Sequence, residues 1–148
     1  MRKVIILILF IMMLFSVDCY AFGINELEIG INKDQVIEKM LKQNFALVTQ
    51  VDSNGKLNYL FKSRGKSILV EFSNNIVNSV YKTFSGNVAD FTARTEELKQ
   101  YYNVYTYTEN GQLITEVIIE ETDKDVTYIS LMYDKEGSVI EMLNKKSK

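Results

Sequence analysis

Histidine is absent from this 148-residue chain, and cysteine occurs only once. Without imidazole groups there is no Ser-His or Cys-His triad, no histidine acid or base, and none of the usual zinc ligand sets. Cys19 has no second thiol in the chain, so a disulfide within it is excluded and the packed core alone must stabilise the domain. These absences exclude histidine-dependent hydrolases and structural zinc sites.

Proline is also absent, and no low-complexity linker or cluster of basic residues interrupts the chain. No glycine-rich loop of the kind that holds phosphate follows a predicted strand. The formal net charge is −2, and without a basic patch nucleic-acid binding is not expected. The sequence predicts a globular protein that needs neither a cofactor nor a metal ion and does not act as an enzyme.

The first 21 residues have the features of a cleavable signal peptide. A positive start, Met1–Lys3, precedes the apolar run Val4–Phe15, and Cys19 and Ala21 are small residues at positions −3 and −1 of a cut after Ala21. A stable membrane span needs about 20 apolar residues, so no membrane anchor is expected after cleavage. Asp18 directly before Cys19 disfavours lipoprotein processing. We therefore predict a periplasmic or secreted protein.

Two successive segments of the remaining chain show the same order of elements, a helix followed by four strands. In the first segment, Asn32 is a suitable N-cap, and Gln35 can close a capping box with it. The predicted strands there are Phe45–Val51, Lys56–Lys62, Ser67–Phe72 and Ile76–Phe84. In the second segment a helix is predicted over about Asp90–Tyr102, followed by strands Val104–Thr108, Gln112–Glu121, Val126–Tyr133 and Ser138–Leu143.

Turn residues favour short hairpins between these strands. Asn54-Gly55 and Asn110-Gly111 are typical of tight turns with positive φ, and they lie 56 residues apart. The repeated order of elements indicates an internal duplication. We predict an α+β fold with two tandem units, residues 22–86 and 87–148, each a helix packed on its own four-stranded antiparallel sheet.

The segment Leu27-Glu28-Ile29-Gly30-Ile31-Asn32-Lys33-Asp34-Gln35-Val36 resembles the opening of two related protein groups. These are the SmpA/OmlA-type outer-membrane assembly lipoproteins and proteins with the β-lactamase-inhibitor-protein fold, which begin a unit with apolar-x-Ile-Gly-Met-Thr/Ser-Lys-x-x-Val. The resemblance implies helices packed on an antiparallel sheet, with two tandem units in the inhibitor family. It also implies either an inhibitor or an envelope-assembly role.

Strand register follows from turn length, so the two faces of each sheet can be assigned. In the first unit this places Tyr81 on the core face and Val80 and Lys82 on the opposite face. In the second unit one face lacks charge and is expected to meet the helix. The other face mixes aromatic, aliphatic and acidic residues, as protein interfaces do. The candidate protein-binding residues are Tyr105, Tyr107, Ile114, Glu116, Ile118, Glu120, Ile129, Leu131 and Tyr133.

Two alternatives for this face remain open, packing against the first unit and formation of a homodimer. A one-residue slip at Asp123-Lys124 would also move Ile129 and Tyr133 to the other side. With those alternatives open, the sequence favours an exported, non-enzymatic protein that occludes another protein, as an inhibitor or immunity-type protein for an envelope-acting enzyme or toxin. The other two hypotheses are an envelope-assembly accessory and a hydrolase that uses a carboxylate pair among Glu116, Glu120 and Glu121.

Overall fold

The computed structural model describes residues 23–53 and 55–148, so the predicted signal peptide with Cys19 lies outside the described residues. The described chain forms two helices and eight strands. The helices are α1 (Lys33–Lys42) and α2 (Val88–Lys99). The strands are β1 (Ala46–Ser53), β2 (Lys56–Ser63), β3 (Lys66–Ser73), β4 (Ile76–Ser85), β5 (Tyr105–Glu109), β6 (Gln112–Glu121), β7 (Asp125–Tyr133) and β8 (Ser138–Ser147).

All eight strands belong to one antiparallel sheet, in the order β1-β2-β3-β4-β8-β7-β6-β5. The predicted fold class, two tandem units each with its own four-stranded sheet, is therefore wrong. The sheet is continuous because β4 pairs with β8, from Ser79 opposite Asn144 to Ser85 opposite Ser138. Each of these strands ends a run of four and would otherwise leave its backbone groups unpaired, so their pairing removes two free edges. The boundary predicted between residues 86 and 87 falls in the connection from β4 to α2.

Both helices lie on the same side of the sheet and share one hydrophobic core. Helix α1 buries Val36 and Met40, and α2 buries Phe91 and Leu98. The sheet contributes the alternate residues that point toward the helices, as expected for strands with one covered face. Those buried sheet residues are Tyr59, Phe61, Ile68, Val70, Phe72, Val77, Val80, Val117, Ile129, Leu131, Val139 and Leu143.

The segment that carries the family-like motif joins α1 to the sheet. Leu27 is fully buried, and Gly30, at φ +95°, donates its N–H to the carbonyl of Val77 at 3.0 Å. Val77 in turn donates to the carbonyl of Ile31 at 2.9 Å. The capping box predicted for Asn32 and Gln35 is present at the start of α1. Together these bonds fix the first helix against β4.

Three β-bulges change the direction of side chains along the sheet, at Leu47/Thr49, Glu71/Phe72 and Ile118/Glu120. A bulge inserts one unpaired residue, so every side chain beyond it moves to the other face relative to the partner strand. At the second bulge the extra residue is Asn78, with Val77 opposite Phe72 and Ser79 opposite Glu71.

The faces assigned to Tyr81, Val80 and Lys82 from the sequence are wrong because of that bulge. Val80 lies opposite Leu143 and Lys82 opposite Glu141, which are buried residues of the helix-covered side. Tyr81 lies opposite Met142 on the other side. The side without helices is called the open face below.

Candidate functional site: the open face and the edge notch

The open face runs across the sheet and carries no helix of the described chain. Its members follow from the register of each strand pair. Near β1 to β3 they are mainly polar, and toward β5 to β8 they are mainly aromatic and aliphatic. The apolar members there are Tyr81, Tyr105, Tyr107, Ile114, Ile118, Val126, Tyr128, Met132, Ile140 and Met142. Polar residues share the same face, namely Glu109, Gln112, Glu116, Glu121, Ser130, Ser138, Asn144 and Lys146.

Several of these apolar side chains are strongly exposed. Tyr105 is 75% exposed, Ile118 57% and Tyr107 41%. An antiparallel sheet with one face in water usually alternates polar residues onto that face. A run of tyrosine, isoleucine and methionine across neighbouring strands departs from that pattern and is typical of a surface that contacts another molecule.

A chain of hydrogen bonds connects the polar and apolar parts of the open face. The Ser79 hydroxyl donates to Asn144 Oδ1 at 2.8 Å, and Asn144 Nδ2 donates to the Tyr128 hydroxyl oxygen at 3.2 Å. Ser79 is only 2% exposed, so its hydroxyl needs this partner. The network limits the positions that the Tyr128 ring can take.

Acidic groups accompany the exposed tyrosines. Glu116 lies opposite Tyr105 in the register and on the same face as Tyr107. Burial of the hydroxyl, together with the carboxylates of Glu116 and Glu109, raises the pKa of Tyr107. A hydrogen bond from the Tyr107 hydroxyl to Glu116 contributes to the same rise.

Five of the predicted site residues come together on the open face. Tyr107 lies opposite Ile114, Tyr105 opposite Glu116, and Ile118 continues the same face of β6. This shared position agrees with the face assigned from the Asn110-Gly111 turn. The sequence was therefore sufficient to predict the register of the β5–β6 hairpin next to that turn.

Ile129, Leu131 and Tyr133, predicted on this same face, lie on the helix-covered side. Ile129 and Leu131 are fully buried, and the Tyr133 ring lies 6.5 Å from that of Phe91. The turn at Asp123-Lys124 has the expected two residues, with Thr122 donating to the Asp125 carbonyl at 2.9 Å. The error comes from the bulge at Ile118/Glu120. The residues that occupy the open face instead are Tyr128, Met132, Ile140 and Met142, and no turn signal in the sequence marks the bulge.

Glu120 is separated from Glu116 by the sheet itself. It pairs with Thr127, a residue of the helix-covered side, whereas Glu116 and Glu121 lie on the open face. Five residues of strand separate the latter two, which corresponds to roughly 15 Å. The carboxyl pair of a glycosidase is much closer, at about 5–9.5 Å. The three glutamates therefore do not form the carboxylate pair that the hydrolase hypothesis requires.

The open face ends at a notch in the edge of the sheet. Strand β5 pairs with β6 only from Gln112 to Glu116, so no strand of the described residues pairs with the outer side of Val117–Glu121. The notch has a volume of about 850 Å³. It is called the edge notch below, and its lining residues are Tyr101, Tyr102, Asn103, Tyr105, Glu116, Val117, Ile118, Glu121, Val126, Tyr128 and Lys146.

Charges of both signs surround the edge notch. Glu121 forms an ion pair with Lys148 at 2.7 Å, and Lys146 lies opposite Val126 on the open face. Burial raises the pKa of Tyr102, so its hydroxyl remains neutral. The notch thus offers aromatic surfaces, neutral hydroxyl groups and carboxylates beside an unpaired strand edge.

A second charged cluster lies on the helix-covered side, between α2 and the sheet. Arg94 donates from Nε and Nη2 to Glu141 Oε1, at 2.8 and 2.7 Å, and its Nη1 lies 2.7 Å from Glu97 Oε2. Glu141 is 3% exposed, and Lys82 lies opposite it on β4. Burial lowers the pKa of Lys82, while the charge of Glu141 partly offsets that effect. Burial would also lower the pKa of Arg94, but Glu141 and Glu97 raise it overall.

Metal and membrane sites find no support in the part of the chain that the structure describes. Within residues 23–53 and 55–148, no three histidine, cysteine, aspartate or glutamate side chains are grouped so that they could hold a metal ion. In the same residues, neither helix has the length and apolar character needed to cross a bilayer.

Comparison with known proteins gives little similarity. No family model matches the chain, and no curated protein matches it. A solved structure of a cysteine-rich secretory protein from Staphylococcus aureus subsp. aureus Mu50 is similar with a TM-score of 0.45 and 16% sequence identity, over 78% of this chain and 44% of that one. The chain thus spans less than half the length of that protein. The predicted likeness to the outer-membrane assembly lipoproteins and the β-lactamase-inhibitor fold stays a prediction.

Proposed function

We propose that this protein binds another protein through the open face and acts by covering part of that partner. The observation that carries the proposal is the exposed surface formed by Tyr105, Tyr107 and Ile118, with the half-buried Ile114 beside them. Tyrosine is enriched where protein interfaces concentrate their binding energy, since its ring buries a large area and its hydroxyl still forms a hydrogen bond. The proposal involves no catalytic step.

The chemistry of the face indicates what the partner presents. Glu116 lies among the tyrosines, and a hydrogen bond with its carboxylate contributes to the raised pKa of Tyr107. A complementary surface would place a lysine or arginine near Glu116 and a concave apolar area over the tyrosines. Such a partner fits an enzyme or toxin whose cleft is blocked when the open face is seated on it.

The cell envelope is proposed as the place of action because of the predicted leader, Met1–Ala21. An inhibitor or immunity-type protein for an envelope-acting enzyme or toxin then combines export with a binding face. This assignment of place depends on the leader, while the assignment of the binding face depends on the sheet. The two parts can be tested separately, by protein fractionation and by substitution.

The binding face is tested by capture from envelope extract with three forms of the protein: wild type, Tyr105→Ala plus Tyr107→Ala, and a control with Leu41→Ala plus Val88→Ala. The control residues are also exposed and apolar, but they lie on the helices. We expect a protein that wild type and control retain and the tyrosine variant loses by at least tenfold. Circular dichroism verifies that all three forms are folded.

Two results would contradict the proposal. A partner held equally by all three forms would place binding elsewhere on the protein. Self-association of the purified protein, lost on substitution of Tyr105 and Tyr107, would show that the open face forms a homodimer. In either case the open face would not be the site of inhibition.

A further inference from the structure

The structure also indicates how a partner would be held at the rim of the open face. We propose that the outer edge of β6, from Val117 to Glu121, accepts an extended basic segment of the partner protein as an added strand, placed end to end with β5. This inference rests on the proposed function, because the segment belongs to the same partner. It adds backbone pairing at the sheet edge to side-chain contact on the open face.

The unpaired backbone is the first step in the argument. Strand β6 has ten residues, and β5 covers only the first five of them. Within the described residues, no backbone group of another segment forms a hydrogen bond with the outer side of Val117–Glu121. The bulge at Ile118/Glu120 interrupts the regular alternation of N–H and C=O groups on this edge. The outward groups on either side of the bulge can pair with an incoming extended chain.

The available space is the second step. The edge notch borders this stretch at Val117 and Ile118 and reaches the segment Tyr101–Asn103 that leads into β5. It also extends over the open face as far as Tyr128 and Lys146. Five paired residues extend over about 17 Å. The notch volume of about 850 Å³ lies at the upper end of the usual range for a binding cleft, and it is open to solvent. A short extended segment is the shape that fits a free strand edge in an open cleft.

The charge of the segment follows from the residues that flank the edge. Glu120 is exposed on the helix-covered side, so a side chain on that face of an added strand would meet a carboxylate. The open face along the same stretch carries Ile118, with Tyr128 and Lys146 near it. Glu121 already pairs with Lys148. Opposite charges across neighbouring strands stabilise the pair. A segment with lysine or arginine on the face toward Glu120 and apolar residues on the open face is therefore favoured over an acidic one.

The test uses synthetic hexapeptides added to the purified protein, followed by amide hydrogen exchange. The probes are an alternating lysine–valine peptide and an alternating glutamate–valine peptide. We expect the basic peptide to slow exchange of the outward-pointing amides in Val117–Glu121 by about tenfold or more, and the acidic one to leave them unchanged. Two N-methylated forms of the basic peptide, blocked at odd or at even residues, separate backbone pairing from side-chain contact, because only one set of N–H groups faces β6.

Substitutions test the charge. Glu120→Gln is expected to lower the affinity for the basic peptide roughly two- to fivefold, the effect of losing an exposed ion pair. Glu136→Gln, in the exposed turn between β7 and β8, removes the same charge away from the edge and should leave the affinity unchanged. Equal effects of the two substitutions would overturn the predicted basic character of the segment.

Other outcomes would overturn strand addition itself. One is that both N-methylated forms bind with unchanged affinity, and another is that the peptide binds without added protection of Val117–Glu121. A third is that protection appears without peptide and increases with protein concentration, because a second copy of the protein would then occupy the edge. A partner lost with the tyrosine variant but causing no protection of the edge would refute strand addition and leave the proposed function standing. If the peptide protects the edge but no captured partner depends on Tyr105 and Tyr107, only the proposed function would be refuted.

Discussion

Replacement of Glu141 by glutamine gives a direct test of the charged cluster under α2. The Glu141 side chain is 4% exposed and accepts two hydrogen bonds from Arg94. Glutamine has the same shape and can still accept a hydrogen bond, but it removes the negative charge. Arg94 would then lose this partner and keep Glu97, and Lys82 would lose the charge opposite it.

The expected loss of stability follows from the burial of this pair. Removing one partner of a fully buried ion pair costs about 3–5 kcal/mol, because the remaining charge is left without compensation. The Arg94 side chain is 21% exposed and retains Glu97, so Glu141→Gln should cost less, about 2–3 kcal/mol. For a domain whose unfolding free energy is about 5–15 kcal/mol, this is a large fraction.

The assay is urea unfolding followed by circular dichroism or tyrosine fluorescence, since the chain has no tryptophan. With a slope of about 2 kcal/mol/M, the midpoint should fall by about 1–1.5 M at unchanged slope. Glu97→Gln is the matched control, because Glu97 also contacts Arg94 but is 57% exposed, and it should cost no more than about 1 kcal/mol. Equal midpoint shifts for Glu141→Gln and Glu97→Gln would refute the reasoning.

Three further predictions concern the pH dependence of stability, helix capping and the core. Burial lowers the pKa of Lys82 below 10.5, so between that lowered pKa and 10.5 the unfolded chain binds more protons than the native one. In urea titrations, the difference in unfolding free energy between wild type and Lys82→Met should therefore increase in favour of wild type from pH 7 to about pH 10. A difference that stays constant over this pH range would contradict the prediction. Asn87→Ala removes the capping box of α2 and should lower the unfolding free energy by about 1 kcal/mol, measured in the same way, whereas no measurable change would count against a stabilising cap. Phe61→Ala should cost about 3–5 kcal/mol, and Leu69→Ala on the open face less than about 1 kcal/mol, so similar losses would show that the faces are misassigned.

Local signals in the sequence were sufficient for the elements and for the hairpins next to strong turns. The capping box of Asn32 and Gln35 and the bounds of Gln112–Glu121 agree with the structure because they depend only on neighbouring residues. The shared face of Tyr105 and Ile114 follows from the Asn110-Gly111 turn for the same reason.

The errors have two physical causes. A β-bulge adds one residue without a distinctive side chain, so the extra residues at Asn78 and Ile119 reversed the faces assigned to strands beyond them. Pairing of β4 with β8 depends on two free edges that become neighbours only in the folded protein, and nothing local in either strand encodes it. The prediction of two separate sheets is therefore wrong where β4 pairs with β8. The predicted composition of the open face is wrong for the strands beyond the bulge at Ile118/Glu120.

The seam between β4 and β8 has a consequence for how the chain acquires its structure. Its paired residues are 53 to 65 positions apart, from Ser85 with Ser138 to Ser79 with Asn144. Because the chain is synthesised from its amino end, β4 is made well before β8. Until β8 pairs with it, the outer side of β4 is a free strand edge that can aggregate. Such distant pairings close slowly, since a long loop must be ordered first. Strand β8, the eighth described strand in chain order, thus completes the middle of the sheet.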